Sequence, residues 1–240
     1  MGTYFKAIES LLKKIESEEC EAIKKIAMKA KKAIDEGGVL YVFGTGHSTM
    51  IVEEAFHRAG GLVPVYPVME SILSPHVSPK IAGKLERVSG ISSILIDRAN
   101  PTAKDLFFIV SNSGVNATAV EMALECEKRG IESVAITSLD HSTKAESRHA
   151  SKKKLFQVAK NVLNNHCPPG DAILQKQNYA VASGSSIANI FIWNTMMSLM
   201  CDAWDQDGKK PPVYLSANLP GGDTHNEVLE KQYKHRVPFL

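Results

Sequence analysis

The apolar positions change their spacing along the chain, and these changes divide it into predicted helices and strands. Residues 3–35 carry apolar side chains at helical intervals, with glutamate–lysine pairs four residues apart on the opposite side. The pattern predicts one long amphipathic helix or two abutting helices, stopped by Gly37 and Gly38. Because such a stripe packs on its own domain or on a second subunit, residues 1–36 are predicted to be an N-terminal helical addition.

From residue 37 onward, short apolar runs rich in β-forming residues alternate with helical segments. Strands are predicted at 39–43, 62–65, 106–110 and 133–137, with helices from the first loop to about Ala59 and from 116 to 128. A short helix and an edge strand are expected within 155–163. Strands that are apolar throughout indicate a parallel sheet covered on both faces. The predicted fold class is therefore α/β: a doubly wound, flavodoxin-like, five-stranded parallel sheet in three αβα layers.

Four other stretches complete the predicted domain of residues 37–240. Residues 67–105 are too long for a simple crossover and contain four prolines, so they are predicted as an insertion with two short helices that covers the site. Residues 185–204 form a helix that is apolar on most faces, central to the core or buried between subunits. Residues 138–151 are predicted to be loop, and residues 168–171 form a turn.

Charge and cysteine content narrow the class of protein. The chain has 28 Lys+Arg and 26 Asp+Glu, a net charge of +2, so no overall field recruits nucleic acid or a membrane surface. The four cysteines are scattered without a CxxC pair, which is typical of reduced thiols. No signal peptide and no clean apolar span is visible, so a cytoplasmic protein is expected.

The third predicted strand ends in a loop suited to an anion. Ser111-Asn112-Ser113-Gly114 runs directly into a helix, which turns two hydroxyls and several backbone N–H groups toward one point. Gly114 lets the backbone approach a phosphate closely, and the helix dipole adds partial positive charge. The alternative is that these residues only cap the helix, as serine and asparagine do in many proteins.

The first predicted strand ends in a second loop of this kind, Gly44-Thr45-Gly46-His47-Ser48. Ligands of open parallel sheets bind beyond the carboxyl ends of the strands, where the strand order reverses, so both loops are expected at one site. A dinucleotide site is the competing interpretation, since Gly44 and Gly46 begin a GxGxxG-like pattern. However, Thr49 stands at the third glycine position, and no acidic residue ends the second strand.

Together the two loops resemble the sugar isomerase (SIS) domain superfamily, over about residues 39–163. That resemblance implies a site that binds a phosphorylated sugar. The residues that would line it are Gly44, Thr45, Gly46, His47, Ser48, Ser111, Asn112, Ser113, Gly114 and Asn116. The chain departs from the common SxSGET pattern, because Val115-Asn116 follows the glycine and an amide replaces the usual threonine hydroxyl. The segments 168–172 and 221–226 also look like a bacterial group of stand-alone, phosphoheptose-isomerase-like SIS proteins.

Aldose–ketose isomerisation requires a base, and three residues are candidates for the chemistry. Glu54 is the first choice for the base, and His57 is expected three residues further along the same helix. The pair could equally be a surface pair that only stabilises the helix. His225 is the third candidate, although Thr224 and Glu227 have capping-box spacing and would explain this segment as a helix start.

The function expected from this resemblance is isomerisation of a sugar phosphate through an enediol, by a homodimer or tetramer. Two alternatives stay open: a non-catalytic phosphosugar sensor, and an amino-sugar phosphate lyase or etherase that uses the same carboxylates. No cofactor and no metal are expected, because the two ExxH segments lack the four-helix bundle that such spacing serves in di-iron proteins.

Overall fold

The centre of the structure, a computed structural model that describes residues 2–240, is a five-stranded parallel sheet. Its strands are β1 Leu40–Gly44, β2 Val65–Val68, β3 Leu106–Val110, β4 Glu132–Thr137 and β5 Asn161–Asn164. The strand order is β2-β1-β3-β4-β5, and every neighbouring pair is parallel. Because β2 and β3 lie on opposite sides of β1, the chain winds in both directions from it. The predicted fold class is confirmed.

Nine helices surround the sheet in the described part of the chain. They are α1 Thr3–Asp35, α2 Thr49–Ala55, α3 Pro79–Leu85, α4 Ile91–Ala99, α5 Ala117–Lys128, α6 Leu139–Ser142, α7 Leu155–Val158, α8 Ser185–Gln206 and α9 Gly222–Tyr233. The predicted N-terminal addition is a single helix, α1, and residue 1 lies outside the described residues. Among residues 2–240, no helix is both long enough and apolar enough to cross a membrane.

The alternation of side chains along the strands gives the sheet two apolar faces. Val42 and Phe108 point to the layer of α1, α2 and α8, where the rings of Phe108 and Trp193 meet edge to face at 5.2 Å. Tyr41 and Phe107 point to the opposite layer of α4, α5 and α7. Both faces are buried, which is why the strands are apolar throughout.

The second strand lies three residues later than the sequence pattern predicts. The predicted strand 62–65 is wrong: Leu62 forms only an isolated antiparallel bridge to Val213, and the paired strand begins at Val65. Pro67 lies inside this strand, opposite Val42. A proline is tolerated there because β2 is an edge strand, paired on one side only.

Two connections also differ from expectation. Helix α4 packs on α5 and contributes Leu95 and Ile96 to the core, so it is a regular crossover helix. Of the residues predicted to cover the site, 69–90 remain as the connection between β2 and α4. Residues 172–183, where the sequence indicates no strand, form an antiparallel hairpin of β6 Ala172–Gln175 and β7 Ala180–Ser183.

Candidate functional site

Two loops lie side by side at the point where the strand order reverses. The register pairs Gly44, the last residue of β1, with Val110, the last residue of β3. The first loop (residues 44–48) and the second loop (residues 111–116) therefore leave the same edge of the sheet from adjacent strands. This is the crevice in which open parallel sheets bind ligands.

The first loop is a tight turn that requires glycine at its start. A Cβ at Gly44 would lie 2.4 Å from the Ser48 carbonyl oxygen, so no other residue fits without moving the backbone. The Ser48 N–H donates to the Thr45 carbonyl at 3.1 Å and closes the turn. Thr45 and Ser48 are half-buried, whereas His47 is exposed at the rim. The loop thus holds two half-buried hydroxyl side chains beside the crevice.

The second loop is held by a left-handed glycine. Gly114 has a φ of +61°, and a Cβ there would approach the Thr137 and Ser142 hydroxyl oxygens to 3.0 and 3.1 Å. The Ser111 hydroxyl oxygen accepts a hydrogen bond from the Gly114 N–H at 3.2 Å. Asn116 stands at the start of α5 but makes no side-chain capping bond to it. The capping alternative therefore does not explain Asn116.

The Asn112 side chain is directed into a buried chain of amides. Its oxygen accepts a hydrogen bond from Asn165 at 3.0 Å, and Asn165 also donates to Asn189 of α8 at 2.9 Å. The Asn112 carbonyl accepts from the Ser138 N–H at 3.0 Å. Asn112 is predicted to bind substrate, but its side-chain oxygen is engaged in a hydrogen bond that holds the second loop in place.

Glu86, which the sequence pattern does not single out, lies against the first loop. Its carboxylate accepts a hydrogen bond from the Thr45 hydroxyl at 3.2 Å. Burial raises the pKa of the Glu86 carboxyl above its ordinary value, while the bonds from Thr45 and Asn116 and the charges of Arg87 and Arg148 oppose that rise. A half-buried acid with a raised pKa is thus part of the site.

Arg148 adds positive charge beside the second loop. Its guanidinium donates to the Asn116 side-chain oxygen at 2.9 Å, and its backbone N–H donates to the Val115 carbonyl at 2.8 Å. The residue comes from the long loop after β4. Sequence reasoning missed it, because 32 residues separate the two partners.

Residues 69–90, part of the segment predicted to cover the site, contact the start of α2. The Thr49 hydroxyl donates to the Gly46 carbonyl at 2.8 Å and lies 3.4 Å from the Ser74 hydroxyl. Ser74 in turn lies 2.7 Å from Nδ1 of His76. A hydrogen-bonded chain therefore joins the first loop to residues 74–76.

Glu54 and His57 do not form the predicted pair. Helix α2 ends at Ala55, and His57 turns away with a φ of +47°, so the two side chains share no helical face. Glu54 forms an ion pair with Arg58 instead. The His57 Nε2 lies 3.3 Å from a carboxylate oxygen of Glu230 in α9. The expectation of a shared helix face is wrong because it assumed a helix that continued past residue 57.

His225 lies at the other edge of the sheet. Its Nε2–H donates to the Val213 carbonyl at 3.0 Å, and Val213 pairs with Leu62, ahead of β2. The predicted capping box is wrong, since α9 begins at Gly222 and Thr224 is already inside it. His225 instead lines a cavity of about 880 Å³ with Asp35 and other residues from the ends of α1, α8 and α9.

Comparison with known proteins identifies the class. A model of the SIS domain matches residues 3–138, more than half of the chain. The chain therefore belongs to the SIS domain family. It is similar to a UPF0309 protein of Geobacillus thermodenitrificans, with 38% identity over 239 residues, covering 99% of this chain and 96% of that protein. A UPF0309 protein of Halalkalibacterium halodurans is 38% identical over 232 residues, which cover 96% of each chain.

Solved structures share the fold at low sequence identity. The phosphoheptose isomerase GmhA from Neisseria gonorrhoeae superposes with a TM-score of 0.55 and 16% identity, covering 85% of this chain and 95% of that one. The Vibrio vulnificus NanR protein complexed with ManNAc-6P gives a TM-score of 0.51 and 13% identity, with 98% and 67% covered. The same fold thus occurs in a phosphoheptose isomerase and in a protein whose structure contains bound ManNAc-6P.

Proposed function

We propose that this chain binds a phosphorylated sugar between the first and second loops and interconverts its aldose and ketose forms through an enediol. The observation that carries the proposal is the adjacency of the two loops at the switch point, with Gly44 opposite Val110. Membership of the SIS domain family, a superfamily that binds phosphosugars, supports it. Binding of a sugar phosphate and its isomerisation are tested separately.

The phosphate is proposed to sit among hydroxyls and backbone N–H groups. Ser48 contributes a hydroxyl from the first loop, and Ser111 and Ser113 contribute hydroxyls from the second, while the Thr45 hydroxyl donates to Glu86. The first turn of α5 adds the partial positive charge of a helix N-terminus. Arg148, which is fixed on Asn116, supplies a full positive charge beside it. The negative charge of the phosphate is thereby partly balanced locally, in a chain whose net charge is only +2.

The binding claim is tested with the whole chain by thermal shift. Glucose 6-phosphate, arabinose 5-phosphate and sedoheptulose 7-phosphate are compared with the corresponding unphosphorylated sugars and with inorganic phosphate. At a ligand concentration of about 100 times Kd, the folded state gains about 2.7 kcal/mol, which gives a clear rise in Tm. A rise with at least one sugar phosphate and none with its free sugar is expected.

A matched pair of variants locates the site. Ser111→Ala combined with Ser113→Ala removes two hydroxyls that would donate to the phosphate, and the affinity is expected to fall by at least about 10-fold. Ser17→Ala, on the exposed side of α1, is the control and is expected to bind normally. Equal affinity of both variants for the sugar phosphate would contradict the proposed position.

Catalysis is tested by following deuterium uptake from D₂O into the bound sugar phosphate by NMR. An enediol intermediate exchanges the hydrogen on the carbon next to the carbonyl with solvent, so an isomerase labels its substrate. The competing function is a phosphosugar sensor, which is favoured by the engagement of Glu54, His57 and His225 outside the two loops. Binding of a sugar phosphate with neither deuterium exchange nor conversion between its aldose and ketose forms would contradict the isomerase and favour the sensor.

We also propose that the chain forms a homodimer or tetramer. Several large apolar side chains are exposed on α1, the β6–β7 hairpin and α8, including Phe5, Tyr179 and Ile187. Apolar surface of this kind is typical of subunit contacts. Light scattering after size-exclusion chromatography measures the mass directly, and a monomer at micromolar concentration would contradict this part.

A further inference from the structure

We infer that Glu86 is the catalytic base of the isomerisation proposed above, in place of the Glu54 that the sequence pattern favours. The inference rests on the proposed function, and it assigns the proton transfer to the segment that covers the site. Its basis is the position of one carboxylate relative to the two loops.

Glu86 is the carboxylate that contacts the site. Of the carboxyl groups in residues 2–240, it alone hydrogen-bonds a side chain of the first loop, through Thr45 at 3.2 Å. The same carboxylate oxygen would lie 3.7 Å from a Cβ at Gly46. The Asn116 amide of the second loop also faces it. One carboxylate therefore stands between both loops, where the carbon chain of a sugar anchored by its phosphate would pass.

The backbone of Glu86 is fixed independently of its side chain. Its carbonyl oxygen accepts two hydrogen bonds from Thr118 in the first turn of α5, from the N–H at 3.1 Å and from the hydroxyl at 3.2 Å. Because α5 begins at the second loop, Glu86 and the phosphate-binding groups belong to one rigid unit. A base must be held in this way, since a misplacement of about 1 Å is costly to the rate.

The surroundings of Glu86 suit proton abstraction. Burial raises the pKa of its carboxyl, and a base is most effective when its pKa lies close to the working pH. Arg148, on Asn116, and Arg87, on the same segment, limit that rise by their charges. The carboxylate thus gains basicity and still ionises, which a catalytic base requires.

Two further acids lie near the loops, Glu54 in sequence and Glu121 in space, and both bind groups outside the loops. Glu54 is paired with Arg58 near the end of α2, about 8 Å along the helix axis from its start beside the first loop. Glu121 accepts hydrogen bonds from the N–H groups of Gly90 and Ser92 and fixes the start of α4. Neither has a contact with Thr45 or with the serines of the second loop.

The proposed step is balanced within the substrate and one side chain. The Glu86 carboxylate takes the proton from C2 of the open-chain aldose phosphate. The electrons of the C2–H bond form the C1=C2 double bond of the enediol, and the former carbonyl electrons move to O1. The proton of the O2 hydroxyl passes to O1 and C2=O forms. The protonated Glu86 exchanges its proton with water while the enediol is bound, and it then delivers a proton from that exchange to C1. The ketose phosphate results, with Glu86 restored.

The test combines exchange and binding on the intact chain. Deuterium uptake into the three sugar phosphates named above is measured for Glu86→Gln, Glu86→Asp, Glu54→Gln and the control Glu127→Gln, which alters an exposed residue of α5. Glu86→Gln is expected to slow exchange by at least about 100-fold, as expected for loss of a general base, while Kd changes by less than about 3-fold. Glu86→Asp is expected to retain part of the rate and the same pH profile shape.

The outcomes separate this inference from the proposed function. If exchange persists in Glu86→Gln but is lost in Glu54→Gln, the base is Glu54 of α2. This result overturns the inference about Glu86 and leaves the proposed isomerase activity intact. Binding without exchange in the unaltered chain overturns both the isomerase and the base. A Glu86→Gln chain that loses binding and exchange equally, with a Tm no lower than the parent's, makes Glu86 a ligand-binding residue and also overturns the inference.

Discussion

The Asn165 side-chain amide donates a hydrogen bond of 3.0 Å to the Asn112 oxygen, so a residue that follows β5 sets the position of the loop that follows β3. Asn165 is fully buried, and its oxygen also accepts a hydrogen bond from the Cys167 N–H at 3.1 Å. The amide connects the second loop with α8 through Asn189. The proposed phosphate site therefore depends on a buried residue that is not one of its proposed ligand-binding groups.

Replacing that amide is the first test. Asn165→Ala leaves Asn112, Asn189 and the Cys167 N–H without a partner, and each buried polar group left unpaired costs about 1–3 kcal/mol. We expect a loss of at least about 2 kcal/mol in the free energy of unfolding by urea, with weaker sugar phosphate binding. The exposed Asn218→Ala is the control, within about 0.5 kcal/mol of the parent. Normal binding by a destabilised Asn165→Ala chain would contradict the link to the site.

The second prediction compares two left-handed glycines. Gly114→Ala places a methyl group 3.0 Å from the Thr137 hydroxyl oxygen. Gly130 has a φ of +69°, and no atom lies within 4 Å of a Cβ added there. Both substitutions carry the left-handed penalty of about 1–2 kcal/mol. Only Gly114→Ala adds crowding, of about 1–3 kcal/mol. Urea unfolding of both variants gives the difference, and equal losses would refute the crowding of the second loop.

The third prediction concerns the pH dependence of stability at Glu86. Because burial raises the pKa of its carboxyl in the folded chain, the folded state holds this proton more tightly than the unfolded state does. Stability is therefore lost as the pH rises from the ordinary glutamate pKa, about 4.3, through the raised folded value. Glu86→Gln removes this loss, so its Tm is expected to exceed the parent's near pH 7.5, and the advantage shrinks toward about pH 4. An advantage that is independent of pH, or reversed in sign, would contradict the raised pKa.

The fourth prediction concerns a buried ion pair at the start of β3. Asp105, whose side chain is fully buried, accepts a hydrogen bond from Arg236 at 2.6 Å and another from the Val39 N–H at 2.8 Å. Arg236→Ala leaves the buried carboxylate without its charge partner, which costs about 3–5 kcal/mol. Arg129→Ala breaks the more exposed pairs with Asp97 and Glu125 and is expected to cost about 1 kcal/mol or less. Similar losses in the free energy of unfolding by urea for the two variants would contradict the larger contribution expected of the buried Asp105–Arg236 pair.

The central strands could be predicted from sequence because they are buried on both faces. Residues 106–110 form β3 with the predicted bounds, and β4 begins one residue before its predicted start. The edge strand β2 could not be located, because an apolar run from Leu62 leads into it and Pro67 lies inside it. The β6–β7 hairpin gave no signal because its strands have four residues each and none of these residues is buried.

The loops of the site could be predicted because their chemistry is local to a strand end. Glu86 and Arg148 could not, since they reach the loops across 41 and 32 residues respectively and stand in ordinary charged segments. The prediction that Glu54 pairs with His57 is wrong for a local reason. Helical periodicity was extended past Ala55, where the chain in fact leaves the helix.

The amides behind Asn112 lead to α8 on one side of the sheet, while the backbone of Glu86 is fastened to α5 on the other. The second loop is thus fastened to the layers on both faces of the sheet. Core substitutions in either layer therefore reach the crevice through these bonds, so variants selected for heat resistance alone are expected to change in ligand affinity. Selection for thermostability in this scaffold needs a binding screen at every round.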